Sequence, residues 1–418
     1  MAKTKTKSHS KQKDILHSTT TPLVKSAPKK SQRSIEDLLT EAATLLEQSQ
    51  PELALPLAEE ALRRLETERQ SKDDNDIDAL LQLAAQGQST LPEALAVEAE
   101  IQLALGDADS ARRSFLRATQ IDPNGALVSA EPWLWLAQLC EGGGRESISY
   151  FEKAIEVLRN EIDVLEDDEA KAEDQSVKVL DERKAKLADA LCAMAEVYMT
   201  DLSWEEDAEQ HCEQFVTEAV AVCPDRMSAG VLQTLASVRI SQERFDDARQ
   251  ALRRSVEIWK DIPADVDDEA RPNFATRVSL SRLLMEVEAE AEAMTVLEGL
   301  VREDDQSVEC WYLGGWCQVL MAQKPDAAPE YHTKSQEASK IWLDNCLRLY
   351  RVQDYEDDRL KDHALELVQQ LNKDLGMEDQ MDDDEAWEDE EEQDEDEDGD
   401  LEVEGAHENH ADGDVEMS

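Results

Sequence analysis

His211 stands directly before Cys212, a pair from which a thiolate nucleophile or part of a metal site could be built. Adjacent residues on a helix point about 100° apart, and no third ligand is spaced with them, so the expectation is a solvent-side histidine and a core cysteine. Gly142-Gly143-Gly144 has the composition of a phosphate-cradling loop. The chain has no G-x-x-x-x-G-K-[ST] and no G-x-G-x-x-G, and the triplet falls where a turn between two helices is expected. His407 and His410 lie among acids and would hold a metal weakly at most. G-x-S-x-G and H-E-x-x-H do not occur. Paired carboxylates are so common that their spacing says nothing about acid–base chemistry. The expectation is a protein that is not an enzyme and uses no cofactor and no metal.

What remains is chemistry of contact. The formal charge is −54, and it is unevenly placed. Residues 1–33 hold nine Lys/Arg and one acid, whereas residues 378–418 hold 23 Asp/Glu and no Lys or Arg. That leaves −39 on residues 34–377. Such a surface repels phosphates, so direct nucleic-acid binding is disfavoured and a basic polypeptide is the natural partner. Seven cysteines, with no C-x-x-C, read as buried free thiols of a reducing compartment rather than as a disulfide framework. No apolar run approaches the roughly 20 residues of a membrane span, and the lysine-bearing N-terminus has no apolar signal region. The expected setting is soluble, in cytoplasm and nucleus, with Lys3–Lys13 a possible import signal.

These contact residues need helices to position them. The chain is 5% aromatic and rich in Ala, Leu and Glu, which favours helices over sheets. Counting from Pro92, the chain places Leu95, Ala99, Gly106, Ala111, Phe115, Ala118 and Pro123 at positions 4, 8, 15, 20, 24, 27 and 32. Two helices approach to about 8–10 Å only where small side chains face each other, which gives Ala99, Ala111 and Ala118 their role. Leu95 and Phe115 fill the space beside them, Gly106 frees the turn, and Pro123 cannot continue the second helix. The frame recurs at Leu232, Ala236, Ala248 and Leu252, and at Leu280, Ser281, Leu284, Ala293 and Leu297. Weaker copies start near Leu38, Trp133, Leu191 and Trp311, and Leu360, Ala364, Leu367 and Leu371 mark a final amphipathic helix. Segment 167–182 is expected to extend a helix or loop between the third and fourth units.

The spacing closely resembles the 34-residue tetratricopeptide repeat. The resemblance implies an all-α fold, a right-handed superhelical solenoid whose concave face is lined by the first helix of each pair. The organisation that follows is a disordered basic arm (1–33), a solenoid of about seven repeats with a capping helix (34–372) and a disordered acidic tail (373–418). Carried onto the non-core positions of the first helices, the groove comprises Glu36, Glu93, Glu100, Glu131, Glu141, Asp189, Glu196, Asp201, Glu286 and Glu309. Tyr312 and Trp316 flank the buried frame and are expected to touch a partner, whereas Trp133, Trp311 and Trp342 are expected to pack. Repeat proteins that clamp acidic chaperone C-termini use Lys, Asn and Arg here. This chain has acids, with Arg282 nearly alone, so that reading is disfavoured.

Basic arm, degenerate repeats, acidic groove and acidic tail together resemble the fungal assembly chaperones dedicated to large-subunit ribosomal protein four. The resemblance implies that the groove encloses an extended basic loop of that protein and delivers it for ribosome assembly in the nucleus. A histone chaperone, or another adaptor for basic proteins, is the alternative.

Overall fold

The computed structural model describes residues 33–69, 77–167, 174–263, 266, 268–324 and 329–377. The expectations for the basic arm and for the acidic tail beyond Met377 lie outside these residues. Sixteen α-helices and one 3-10 turn make up the described regular structure. The helices divide into two compact units, before and after Pro272/Asn273. A single array was expected. The boundary falls in the stretch between Trp259 and Phe274, which carries Pro263 and Pro272 and ends the helical periodicity.

The first unit contains five helical pairs: α1 (Ile35–Glu47) with α2 (Pro51–Arg69), α4 (Leu91–Ala104) with α5 (Ala108–Ile121), α6 (Glu131–Gln138) with α7 (Gly144–Asp167), α8 (Asp174–Met199) with α9 (Ala208–Val222), and α10 (Ala229–Ser241) with α11 (Phe245–Trp259). A short helix, α3 (Ile77–Ala85), stands between the first two pairs. The second unit pairs α12 (Phe274–Glu286) with α13 (Glu290–Glu303) and α14 (Val308–Ala322) with α15 (Pro329–Val352). The last helix, α16 (Asp358–Asp374), packs on α14 and α15 and runs two residues past the expected boundary at 372. Of the 167–182 insertion, Asp167 ends α7 and Asp174–Glu182 form the start of α8.

Helix starts follow from side chains. Ser34 and Asp37 form a reciprocal cap on α1, Asp107 accepts from the Ser110 amide at 3.0 Å, and Asn273 accepts from the Thr276 amide at 2.8 Å. Gly106 takes φ +80°, a left-handed conformation that glycine adopts without steric cost, and so permits the tight α4–α5 turn. The loop between α5 and α6 is held by buried Asp122, whose carboxylate accepts from the amides of Ala126, Leu127 and Val128 at 3.0, 2.7 and 3.1 Å.

Small residues mark the helix crossings. Ala99, Ala111, Phe115 and Leu136 form one fully buried cluster that joins the α4/α5 pair to α6. At three crossings a serine replaces alanine and donates to the carbonyl of the facing helix at 2.8 Å: Ser147 to Ala137, Ser255 to Ala229 and Ser339 to Gly315. The hydroxyl is thereby satisfied inside the core. The closest approach in the second unit is glycine-dependent, since a β-carbon on Gly314 would collide with the Trp342 ring and one on Gly315 would lie 2.6 Å from Leu343 Cγ.

Five of the cysteines are buried within helices, and burial pushes the thiols of Cys192, Cys317 and Cys346 up to about 12. The other two lie outside helices: Cys223 is buried at the cap that ends α9, whereas Cys140, just after α6, is only half-buried and departs from the expected burial. His211 is not merely on the solvent side, for it stacks on Tyr198 and Phe215 with centroids 4.5 and 5.7 Å away.

Candidate partner-binding surface

The first unit gathers four of the expected acids along successive first helices. Glu100 of α4 lies near Glu131 at the start of α6, and both feel Lys186 of α8. Asp189 and Glu196 stand one and three turns further along α8, and Glu196 accepts from the Thr234 hydroxyl of α10 at 3.4 Å. Desolvation raises the pKa of Glu100, Asp189 and Glu196, with added repulsion from Glu131 on Glu100 and from Glu196 on Asp189. Asp189 and Glu196 nonetheless keep solvent-exposed side chains. Reachable yet surrounded by protein is the condition of a groove floor. At Glu131 burial pushes the other way from its neighbours: the hydrogen bond and charge of Lys186 outweigh it, and the carboxyl ends below its usual range.

Elsewhere the acids are answered. Arg277 binds Glu303 through two 2.8 Å contacts, Arg183 meets Glu161 at 2.8 Å, Lys184 meets Glu166 at 2.7 Å, and Arg239 pairs with Glu213. Among the described residues, Glu100, Asp189 and Glu196 have no such ion pair. The row is therefore a run of carboxylates without a paired cation: Glu100 feels Lys186 only at a distance, and Asp189 and Glu196 feel none.

Other expected groove residues serve the fold. Glu93 accepts from the Thr90 amide at 2.6 Å and closes the cap of α4. Asp201 lies in the turn after α8 and accepts from the Gly144 amide at 2.9 Å, so it caps α7 across 57 residues. Glu141 sits exposed in the turn between α6 and α7, not on a first helix. Glu36 lies half-buried in the first turn of α1, apart from the row. The helix frame placed Glu93, Asp201 and Glu141 on the groove face because a period of 3.6 does not see caps and turn ends.

The second unit carries a separate pocket of about 650 Å³ between α12, α14 and the start of α16. Met285, Leu313, Trp316, Leu320 and Leu360 line it, with Tyr312 at one side. The Tyr312 hydroxyl lies 2.7 Å from His363 Nδ1, and the His363 ring meets Trp316 edge-on with centroids 5.4 Å apart. These contacts fix both expected aromatics as one wall. Glu286 ends α12 at the pocket, while Glu309 is paired with Arg282 and so is not a free acid. Trp311 packs tilted against Trp342 with centroids 4.8 Å apart and donates to the Asp305 carbonyl, in keeping with a packing role.

Sequence reasoning did not single out Lys186, Thr234, His363 or Arg359, which complete these two surfaces. The signal for Lys186 was the Arg183-Lys184-Ala185-Lys186 run on α8 in an acidic chain. The others carried none.

Stacked helical pairs with small residues at each crossing define a tetratricopeptide-repeat protein, and the tetratricopeptide repeat family model matches residues 92–124. The chain is 42% identical over 368 residues, 84% of each chain, to an Emericella nidulans protein named "Probable assembly chaperone of rpl4". A Schizosaccharomyces pombe protein of the same name is 32% identical over 77% of this chain and 93% of its own length. The solved structure of residues 1–338 of the assembly chaperone of RpL4, Acl4, is similar at 40% identity with a TM-score of 0.60, covering 70% of this chain and 98% of that one. The chain belongs to the family of rpl4 assembly chaperones.

Proposed function

We propose that this chain holds newly made large-subunit ribosomal protein four by an extended basic loop and keeps that loop from aggregating or meeting the wrong nucleic acid. It works between cytoplasm and nucleus, where the client is passed to the assembling large subunit. The observation that carries the reading is the unanswered carboxylate row Glu100–Asp189–Glu196, which offers fixed negative charge to a basic segment much as phosphates would. Family membership supports the choice of client, and the basic composition of residues 1–33 supports the nuclear step. The work is holding, not catalysis. Competition binding tests it: labelled rpl4 should be displaced by its own basic loop peptide and not by core histones at equal charge. Equal displacement by histones would make the chain a general receptor for basic proteins.

The raised carboxylates give a pH signature. A carboxyl whose folded pKa lies above its unfolded value of about 4 weakens the fold while ionised, and that penalty is relieved as pH falls through the raised value. A seated cation favours the ionised form, so it lowers these pKa values and releases protons on binding. Affinity for the basic loop should therefore fall with pH earlier than ordinary carboxylates would dictate. Calorimetry in two buffers of different ionisation enthalpy should show proton release in that window, absent from Glu100→Gln/Asp189→Asn/Glu196→Gln. Binding with no linked proton in the parent chain would contradict the assignment.

A further inference from the structure

The first helices of the first unit, α1, α4, α6, α8 and α10, carry five Lys or Arg side chains: Lys178, Arg183, Lys184, Lys186 and Arg239. Four are engaged away from the row. Arg183 and Lys184 pair with Glu161 and Glu166 of α7, Arg239 with Glu213 of α9, and Lys178 with Glu269 beyond α11 and Glu182 of its own helix. Lys186 alone reaches an acid of another first helix, donating from its ammonium to Glu131 in the first turn of α6. It also acts through its charge on Glu100 of α4, which is desolvated and repelled by Glu131. The head of the acid row thus has a cation of its own.

That cation is held loosely. The Lys186 side chain is 40% exposed and that of Glu131 30%, so water competes for both partners. α6 is packed independently through buried Pro132, Leu136 and Ala137. An ammonium is a compact charge, whereas a guanidinium presents its donors in a planar fork that can serve two carboxylates at once. At Glu131 an arriving lysine would only trade one ammonium for another. An arriving arginine would keep the bond to Glu131 and add one to Glu100, which is half-buried and has no ion pair among the described residues. Further along α8, Asp189 and Glu196 feel no cation and accept either side chain. The rise of α8 from Lys186 to Glu196 is about 15 Å, which about four to five extended residues cover.

We propose that Lys186 is an internal stand-in for a client cation: it holds Glu131 in the free protein and yields to an arginine. The row then selects a basic segment with arginine at its head and a further basic residue about four to five positions away. This selection rests on the proposed function above. Two versions of the rpl4 basic loop peptide, all basic residues arginine in one and lysine in the other, compete for the full-length chain against labelled rpl4. The parent chain should prefer the arginine version about tenfold. Lys186→Met opens Glu131 to any cation, so the lysine version should gain about three- to tenfold and the preference should shrink to about threefold or less. Lys184→Met removes the same charge from the same helix but frees Glu166 of α7, and should leave the preference at its parental value. Lys186→Arg keeps the pair with a stronger incumbent and should weaken both peptides. Equal binding of the two peptides by the parent chain, or a preference unchanged in a folded Lys186→Met, would make Lys186 a structural pair and overturn the selection while the client stands. Should Lys186→Met not fold, Lys186→Arg decides, and binding of both peptides at parental strength would overturn the selection. If neither peptide displaced rpl4 from the parent chain, the client itself would be wrong and the selection would go with it.

Discussion

Phe115→Ala is expected to destabilise the first unit by about 3–5 kcal/mol, the largest single-residue stability loss foreseen for this chain. Phe115 is fully buried on α5 and shares one cluster with Ala99 and Ala111 of its own pair and Leu136 of the next. Trp133, Trp135 and Tyr150 close over that cluster, so surrounding rings too large to collapse inward would leave the cavity open. The loss therefore acts twice, within the α4/α5 pair and at its junction with α6. In a repeat array each pair is stabilised chiefly by its neighbours, so the damage should spread. Ala99→Leu attacks the same cluster by overpacking and should cost less, about 1–3 kcal/mol. Chemical denaturation followed by helical circular dichroism would order the variants. A Phe115→Ala protein that unfolds with its parent would show that the cluster does not couple the pairs.

That cluster was legible because it is periodic. Leu95, Ala99, Ala111, Phe115 and Ala118 all have no exposed surface, and their spacing alone set them on facing helices. The small helix α3 was not legible, because only Leu80 of its nine residues is buried and a single apolar contact makes no pattern. The last pair was legible in outline only. Spacing put Trp311 and Gly315 at the repeat positions, yet it is Gly314 that admits the Trp342 ring, a contact that depends on how α15 rotates against α14.

The surface was harder to read for a physical reason. A core position is specified by what must be excluded from water, whereas an exposed acid on a helix can cap, pair or wait. Glu93 caps, Asp201 reaches back to Gly144, Glu131 and Glu309 are paired with Lys186 and Arg282, and Asp189 and Glu196 wait. Nothing in local sequence distinguishes these fates, because each partner comes from a different helix or turn.

The second large effect follows from that distinction, and it is on binding. Reversing Glu100, Asp189 and Glu196 together to Lys should weaken rpl4 binding about 100-fold or more while the protein stays folded. An exposed ion pair alone contributes about 0–1 kcal/mol, so a single reversal would be a poor test. These three are partly desolvated, and each reversal replaces attraction by repulsion, so about 1 kcal/mol apiece gives about 3 kcal/mol in sum. The control is Glu52, Glu59 and Glu152 reversed together. All three are exposed on second helices, and the change in net charge is the same. Long-range steering depends on total charge and fades beyond a Debye length of about 8 Å at physiological salt, so it should suffer equally in both variants. Only the row variant should lose affinity that persists at high salt, and the loss should lie in dissociation rate. If both variants bind alike at every ionic strength, the row is solvated surface and capture is a matter of net charge.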